Sequence, residues 1–177
     1  MPVPPAAVNA APSLSEAAVA RRGVHAGVAV GWLKSFAADK RCKGLTTLQV
    51  VQKIIKPATK KRKCRHVALL PASAVGTAKT FVSHTWRAPF GDLCAAIAHV
   101  LPDEAIVWLD VFAVLQWDAA DGLSAELVAE KAEDLDFGAV VAATDALLLV
   151  GKHVDEVAEM SFGDALDRRV PEAARQA

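Results

Sequence analysis

The sequence predicts an α/β domain built on parallel strands, and three stretches carry that prediction. Lys79-Thr80-Phe81-Val82-Ser83 is a short β-branched and aromatic run that follows a turn at Gly76, as suits a buried strand. Phe90, Leu93, Cys94, Ile97 and Leu101 then recur at helical spacing. Asp92 lies in the first turn, where a carboxylate complements the helix dipole, and Pro102 stops the run. Ala105-Ile106-Val107-Trp108-Leu109-Asp110 is a second apolar strand closed by an acid. Strand, helix and strand within about 30 residues is the size of one βαβ unit, so the two strands should be parallel. Asp145-Ala146-Leu147-Leu148-Leu149-Val150 reads as a third buried strand, ended by Gly151-Lys152-His153.

Composition bounds the rest. The chain has 177 residues, 53% of them hydrophobic and 23% charged, which is enough for one domain with a real core. No apolar run reaches the ~18 residues of a membrane span, so a soluble, cytoplasmic protein is expected. Cys42, Cys64 and Cys94 are odd in number and lack metal-ligand spacing; free thiols in a reducing compartment are expected, and no metal. The zero net charge hides a division. Residues 1–90 hold 15 Lys/Arg against 2 Asp/Glu, whereas residues 91–177 hold 5 against 18. Either two oppositely charged surfaces attract within the molecule, or a basic arm meets an acidic partner.

Residues 1–44 read as a low-complexity extension. Met1 to Arg22 is rich in Pro, Ala and Val, with an Arg21-Arg22 pair, as in an organelle-targeting segment or an ordinary extension. Trp32 and Phe36 stand at i, i+4 and could form one side of a short helix. Residues 45–78 form a helical and basic lead-in. Thr46 or Thr47 can cap a helix through Leu48, Val51 and Ile54-Ile55, ended before Pro57. Lys60, Lys61, Arg62, Lys63 and Arg65 then make a basic run. It reads as a solvated loop, with nuclear entry or a phosphate contact as the alternatives; no aromatic is interleaved for base stacking. His66 to Leu70 fits a short strand or a helix start equally. The α/β domain proper is expected over 79–160. Within it, Asp110 to Gly122 reads as a polar loop. Ser124 caps a helix with an apolar stripe of Leu127, Val128, Ala132 and Leu135, which continues from Phe137 after a break at Gly138. Val154 to Leu166 could form one more helix, and 161–177 is a charged tail.

Ligands of open parallel sheets bind at the carboxyl ends of the strands. That edge gathers Ser83, His84, Trp86, Asp110, Gln116 and Trp117 as ligand-edge candidates, with Trp117 the best placed for an exposed aromatic. His84 could act as a base or phosphate contact, or orient its loop. Cys94 lies on an apolar stripe and should be inert. No Walker A, GxGxxG, GxSxG, HExxH or CxxC pattern occurs, which removes the corresponding NTPase, dehydrogenase, hydrolase and zinc readings.

One family resemblance rests on these residues. Phe81-Val82-Ser83-His84-Thr85-Trp86, then Phe90-x-x-Leu93, then Val107-Trp108-Leu109-Asp110 continuing to Gln116, resembles the TIR-like superfamily. It is similar to a lineage related to fungal heterokaryon-incompatibility (HET) domains, and to uncharacterised algal and protist domains that pair FVSHxW with WxDxxxxxQ. The resemblance spans Leu45 to Lys152. It implies a flavodoxin-like parallel sheet with flanking helices, here shortened to about three strands. It also implies a signalling or protein-interaction module with protein partners, homotypic ones included, and NAD as a ligand or substrate, since some such domains cleave NAD. Their catalytic glutamate sits in a Trp-Cys-x-x-Glu-like context. Glu156, Glu159 and Glu172 lack that context, and no Trp or Cys follows residue 117. The expectation is therefore a catalytically incomplete module. The alternatives are a TIR-type NAD- or nucleotide-processing hydrolase and a binder of nucleic acid or another polyanion through residues 60–65.

Overall fold

A computed structural model describes residues 25–151 of the chain. It is a mixed α/β fold around a five-stranded sheet of order β2-β1-β4-β3-β5. The strands are β1 (Ala26–Ala29), β2 (Val75–Thr77), β3 (Thr80–His84), β4 (Ile106–Trp108) and β5 (Ala146–Val150). The three expected strands lie side by side and parallel, with Thr80 opposite both Val107 and Ala146. Their carboxyl ends fall at one edge of the sheet. The limit of about three strands is corrected, because β1 and β2 add an antiparallel wing beside β4.

β1 is the larger departure from expectation. The expected extension over 1–44 contains β1 and the helix α1 (Val30–Ala37), and the expected lead-in contains β2. Four residues, Ala26-Gly27-Val28-Ala29, are too few and too small to announce a strand by alternation. Tertiary packing makes them one: all four are buried. A Cβ at Gly27 would stand 2.4 Å from the Val107 carbonyl oxygen, so only glycine permits this approach to β4.

Two cores cover the two faces. On one, α1 and α3 (Phe90–Val100) pack Leu33, Phe90, Leu93, Cys94 and Ile97 against Val28, Val82 and Val107. On the other, Phe81 stacks on Trp108 at 4.9 Å, and Phe137 meets Trp108 edge-on at 5.6 Å. Trp32 and Phe36 do share one side of α1, with their rings stacked at 5.0 Å.

Between the sheet strands, α2 runs as Thr47–Val50, a π-helical turn Val51–Ile55, and Lys56–Thr59. Thr46 caps it, accepting from Gln49 N while the Gln49 side chain accepts from Thr46 N. Pro57 does not end this helix as expected. The wider turn closes on Lys56 N to Val51 O, and the proline, lacking an N–H, sits in the turn after it. His66–Leu69 is a short 3₁₀ helix, neither strand nor α-helix.

Asp110 to Leu115 is not a polar loop. Asp110–Ala113 forms a one-turn helix, α4, and every residue from 110 to 115 is buried. α5 (Ala125–Asp134) is capped by Ser124 as expected, yet its apolar stripe is not a core face: Val128 is 40% exposed and Leu135 is 50% exposed. Polar anchors hold it instead. Lys131 Nζ donates to the Trp117 carbonyl at 3.0 Å, and Asp134 is wholly buried against Arg65. The helix break falls at Asp136, which caps α6 (Phe137–Ala142) by accepting from Ala139 N, rather than at Gly138. β5 is an edge strand with Leu147 and Leu149 exposed, not a buried one. The expected helix over 154–166 and the charged tail lie outside the described residues. Among the described residues, no helix is long and apolar enough to cross a membrane.

Candidate functional site

The strand ends bring the two halves of the sequence motif together. β3 closes with His84, and the chain turns through Thr85 and Trp86 toward α3. β4 runs into Leu109 and Asp110, which opens α4. Trp86 Nε1 donates to Asp110 Oδ2 at 3.0 Å, and Val111 N donates to Oδ1 at 2.8 Å. His84 Nε2 stands 3.7 Å from the same Oδ1, and both side chains are nearly inaccessible. Gln116 Nε2 donates to the Asp110 carbonyl at 2.9 Å and to the Val114 carbonyl at 3.3 Å. A carboxylate this deep is tolerable only with such partners. The His84 and Trp86 rings lie nearly parallel at 6.2 Å.

The lead-in braces this clasp. Leu48 N donates to the Trp86 carbonyl at 2.9 Å, Thr47 N to the Ala88 carbonyl at 3.1 Å, and Phe90 N to the Leu45 carbonyl at 2.9 Å. The loop between β3 and α3 is thus hydrogen-bonded along its length to the start of α2.

Beside the clasp, a cleft of about 230 Å³ opens between the ends of β3 and β5 and the first turns of α3. His84, Asp92, Leu93 and Val150 are among its walls. It is small and largely apolar, with an imidazole on the sheet side and a carboxylate on the helix side. A larger depression of about 480 Å³ lies between Ala37–Leu45 and the start of α3, and none of the sequence candidates lines it.

Compared with known proteins, the chain matches no family model, no curated protein and no solved structure.

His84, Trp86, Asp110 and Gln116 therefore form one group. Ser83 does not join it: alternation along β3 sends Ser83 to the Phe81 face, opposite His84. Trp117 is not an exposed aromatic. It is 8% exposed, its Nε1 donates to Thr59 Oγ1 at 2.9 Å, and the ammonium groups of Lys56 and Lys63 lie over its ring at 4.7 and 4.8 Å. The basic run divides as well. Lys60, Lys61 and Arg62 are exposed. Lys63 donates to the Asp121 carbonyl, and Arg65 is buried in a pair with Asp134 at 2.5 Å, so the expectation of one solvated run fails for these two. Among the described residues, no group of three or more His, Cys, Asp or Glu is placed to hold a metal. Cys42 and Cys94 are buried thiols, and burial pushes both pKa values up, away from reactivity.

Sequence reasoning passed over His66. Its ring lies among Trp32, Phe36 and Phe112 at 5.5 to 6.1 Å, and Nδ1 is buried without a hydrogen-bond partner among the described residues. Burial lowers its pKa from 6.5 to about 4. Between those values the unfolded chain binds a proton that the folded chain refuses, so stability falls as pH falls through this window. The expected loss is about 1.4 kcal/mol per pH unit and about 3 kcal/mol in all. Urea melts at about pH 7, 6 and 5 should show that slope, and His66→Phe should flatten it. An unchanged slope in His66→Phe would remove His66 as the cause.

Proposed function

We propose that the chain is a TIR/HET-like signalling or protein-interaction module on a flavodoxin-like sheet, catalytically incomplete, with protein partners that include copies of itself. The observation that supports it is the clasp. The FVSHxW and WxDxxxxxQ residues engage one another: Asp110 takes Trp86 and Val111 N–H groups, and Gln116 takes Asp110 and Val114 carbonyls. Residues spent in this way fix the shape of a sheet edge.

The cleft favours a second reading, binding of a nucleotide or NAD at the His84 edge. Turnover needs a carboxylate positioned on the ribose, and small misplacements cost about a hundredfold. Glu156 and Glu159, the acids that follow β5 in sequence, lie outside the described residues. Purified protein incubated with NAD is expected to show no hydrolysis above a buffer blank, and light scattering should report assemblies larger than one chain. Robust turnover that disappears in His84→Ala, Glu156→Ala or Glu159→Ala would overturn the reading.

A further inference from the structure

The charge division of the sequence becomes a surface pattern in the fold. Part of it is neutralised internally: Lys56 pairs with Asp121 at 3.1 Å and Arg65 with Asp134. Among the exposed charges these pairs leave over are two sets that flank one loop. Lys60, Lys61 and Arg62 are exposed in the turn after α2, and none makes an ion pair among the described residues. Glu126 is exposed in the first turn of α5. Positions 126, 130 and 133 all carry glutamate and follow at i, i+4 and i+7, the spacing of one helix face.

The two sets are neighbours on one side of the molecule. Thr59 and Lys63 bracket the exposed cations, and both bond to the Trp117–Asp121 segment, through Trp117 Nε1 and the Asp121 carbonyl. α5 is fastened to the same segment through Lys131 and to the basic run through Arg65. A cationic turn and an acidic helix thus flank one loop.

We infer that this side is a self-complementary interface for a second copy of the chain, in which the Lys60–Arg62 turn of each copy faces the α5 carboxylates of the other. A two-fold axis through the 117–122 loop sets unlike patches opposite one another on both sides, as an isologous contact requires. A nucleic-acid backbone fits worse. Phosphates drawn to the turn would run on to the α5 carboxylates, where like charge repels. The inference rests on the interaction-module reading and names its surface.

The test is the mass of the full chain in solution against salt, by sedimentation or light scattering. Exposed charges are screened over about 10 Å at 0.1 M salt and about 3 Å at 1 M. A dimer is therefore expected at about 50 mM, with its dissociation constant rising at least tenfold by about 0.5 M. The triple variants K60E/K61E/R62E and E126K/E130K/E133K should each be monomeric and melt like the parent. Mixed together they should form a heterodimer, since one then presents only acids and the other only cations. A monomer at all salt concentrations overturns the inference, as does a mixture that fails to associate. Association with poly-uridylate RNA without self-association overturns it in favour of a phosphate-binding turn. A dimer indifferent to salt and to charge reversal removes this surface and leaves the module reading standing. NAD turnover would instead remove that reading and leave the dimer measurement valid.

Discussion

Asp134→Ala is expected to cost the protein about 3 to 5 kcal/mol of stability. The carboxylate is wholly buried, accepts from Arg65 Nε at 2.8 Å and from Arg65 Nη2 at 2.5 Å, and accepts from Leu115 N at 2.9 Å. Its removal leaves a buried guanidinium without its counter-charge and a buried amide without its acceptor. Breaking a buried pair from one side costs about 3 to 5 kcal/mol. A domain of this size has about 5 to 15 kcal/mol in total. The helix α5 gains little from its apolar stripe, with Val128 and Leu135 exposed, so the loss has nothing beneath it to soften it. Chemical denaturation would measure it. Arg65→Met with Asp134→Leu should recover most of the stability, because charge and counter-charge leave together. If the single variant melts like the parent, the pair is not what anchors α5.

Val107→Asp is expected to cost about 5 kcal/mol, a third or more of the stability of a domain of this size. Val107 is fully buried and sits in the middle of the sheet, opposite Val28 on one side and Thr80 on the other. The change removes a buried side chain worth about 1.5 kcal/mol or more and places an unpaired carboxyl in its stead, on the order of 5 kcal/mol together. Leu149→Asp is the control, made in the same sheet where the side chain is 54% exposed; it should shift stability by less than about 1 kcal/mol. Denaturation followed by circular dichroism decides the matter, and a Val107→Asp as stable as Leu149→Asp would overturn the placement of β4.

The sequence alone was enough to locate the parallel strands and the helix between them. Phe81 and Val82, then Phe90, Leu93 and Ile97, then Val107 and Trp108 repeat with the periods of strand and helix, and those periods are local properties of the chain. A cap at Thr46 or Thr47, and Trp32 and Phe36 on one side of a helix, followed from spacing in the same way. Everything that depended on which distant residue fills a space had to come from the tertiary structure. Ala26 to Ala29 has no strand signature and becomes one because Gly27 lets β4 approach. Trp117 looked like a free aromatic beside a glutamine, and two lysines from α2 and the turn after it cover it. Arg65 looked like the end of a solvated run, and Asp134, 69 positions away, draws it inside. Ser83 and His84 are adjacent in sequence and point to opposite faces, which strand alternation alone implies once the strand is accepted. Local periodicity is written in nearest neighbours along the chain. The partner of a buried charge, the cover on an indole and the room for a fourth and fifth strand depend on close packing between segments that are remote in sequence, and only the folded arrangement fixes those.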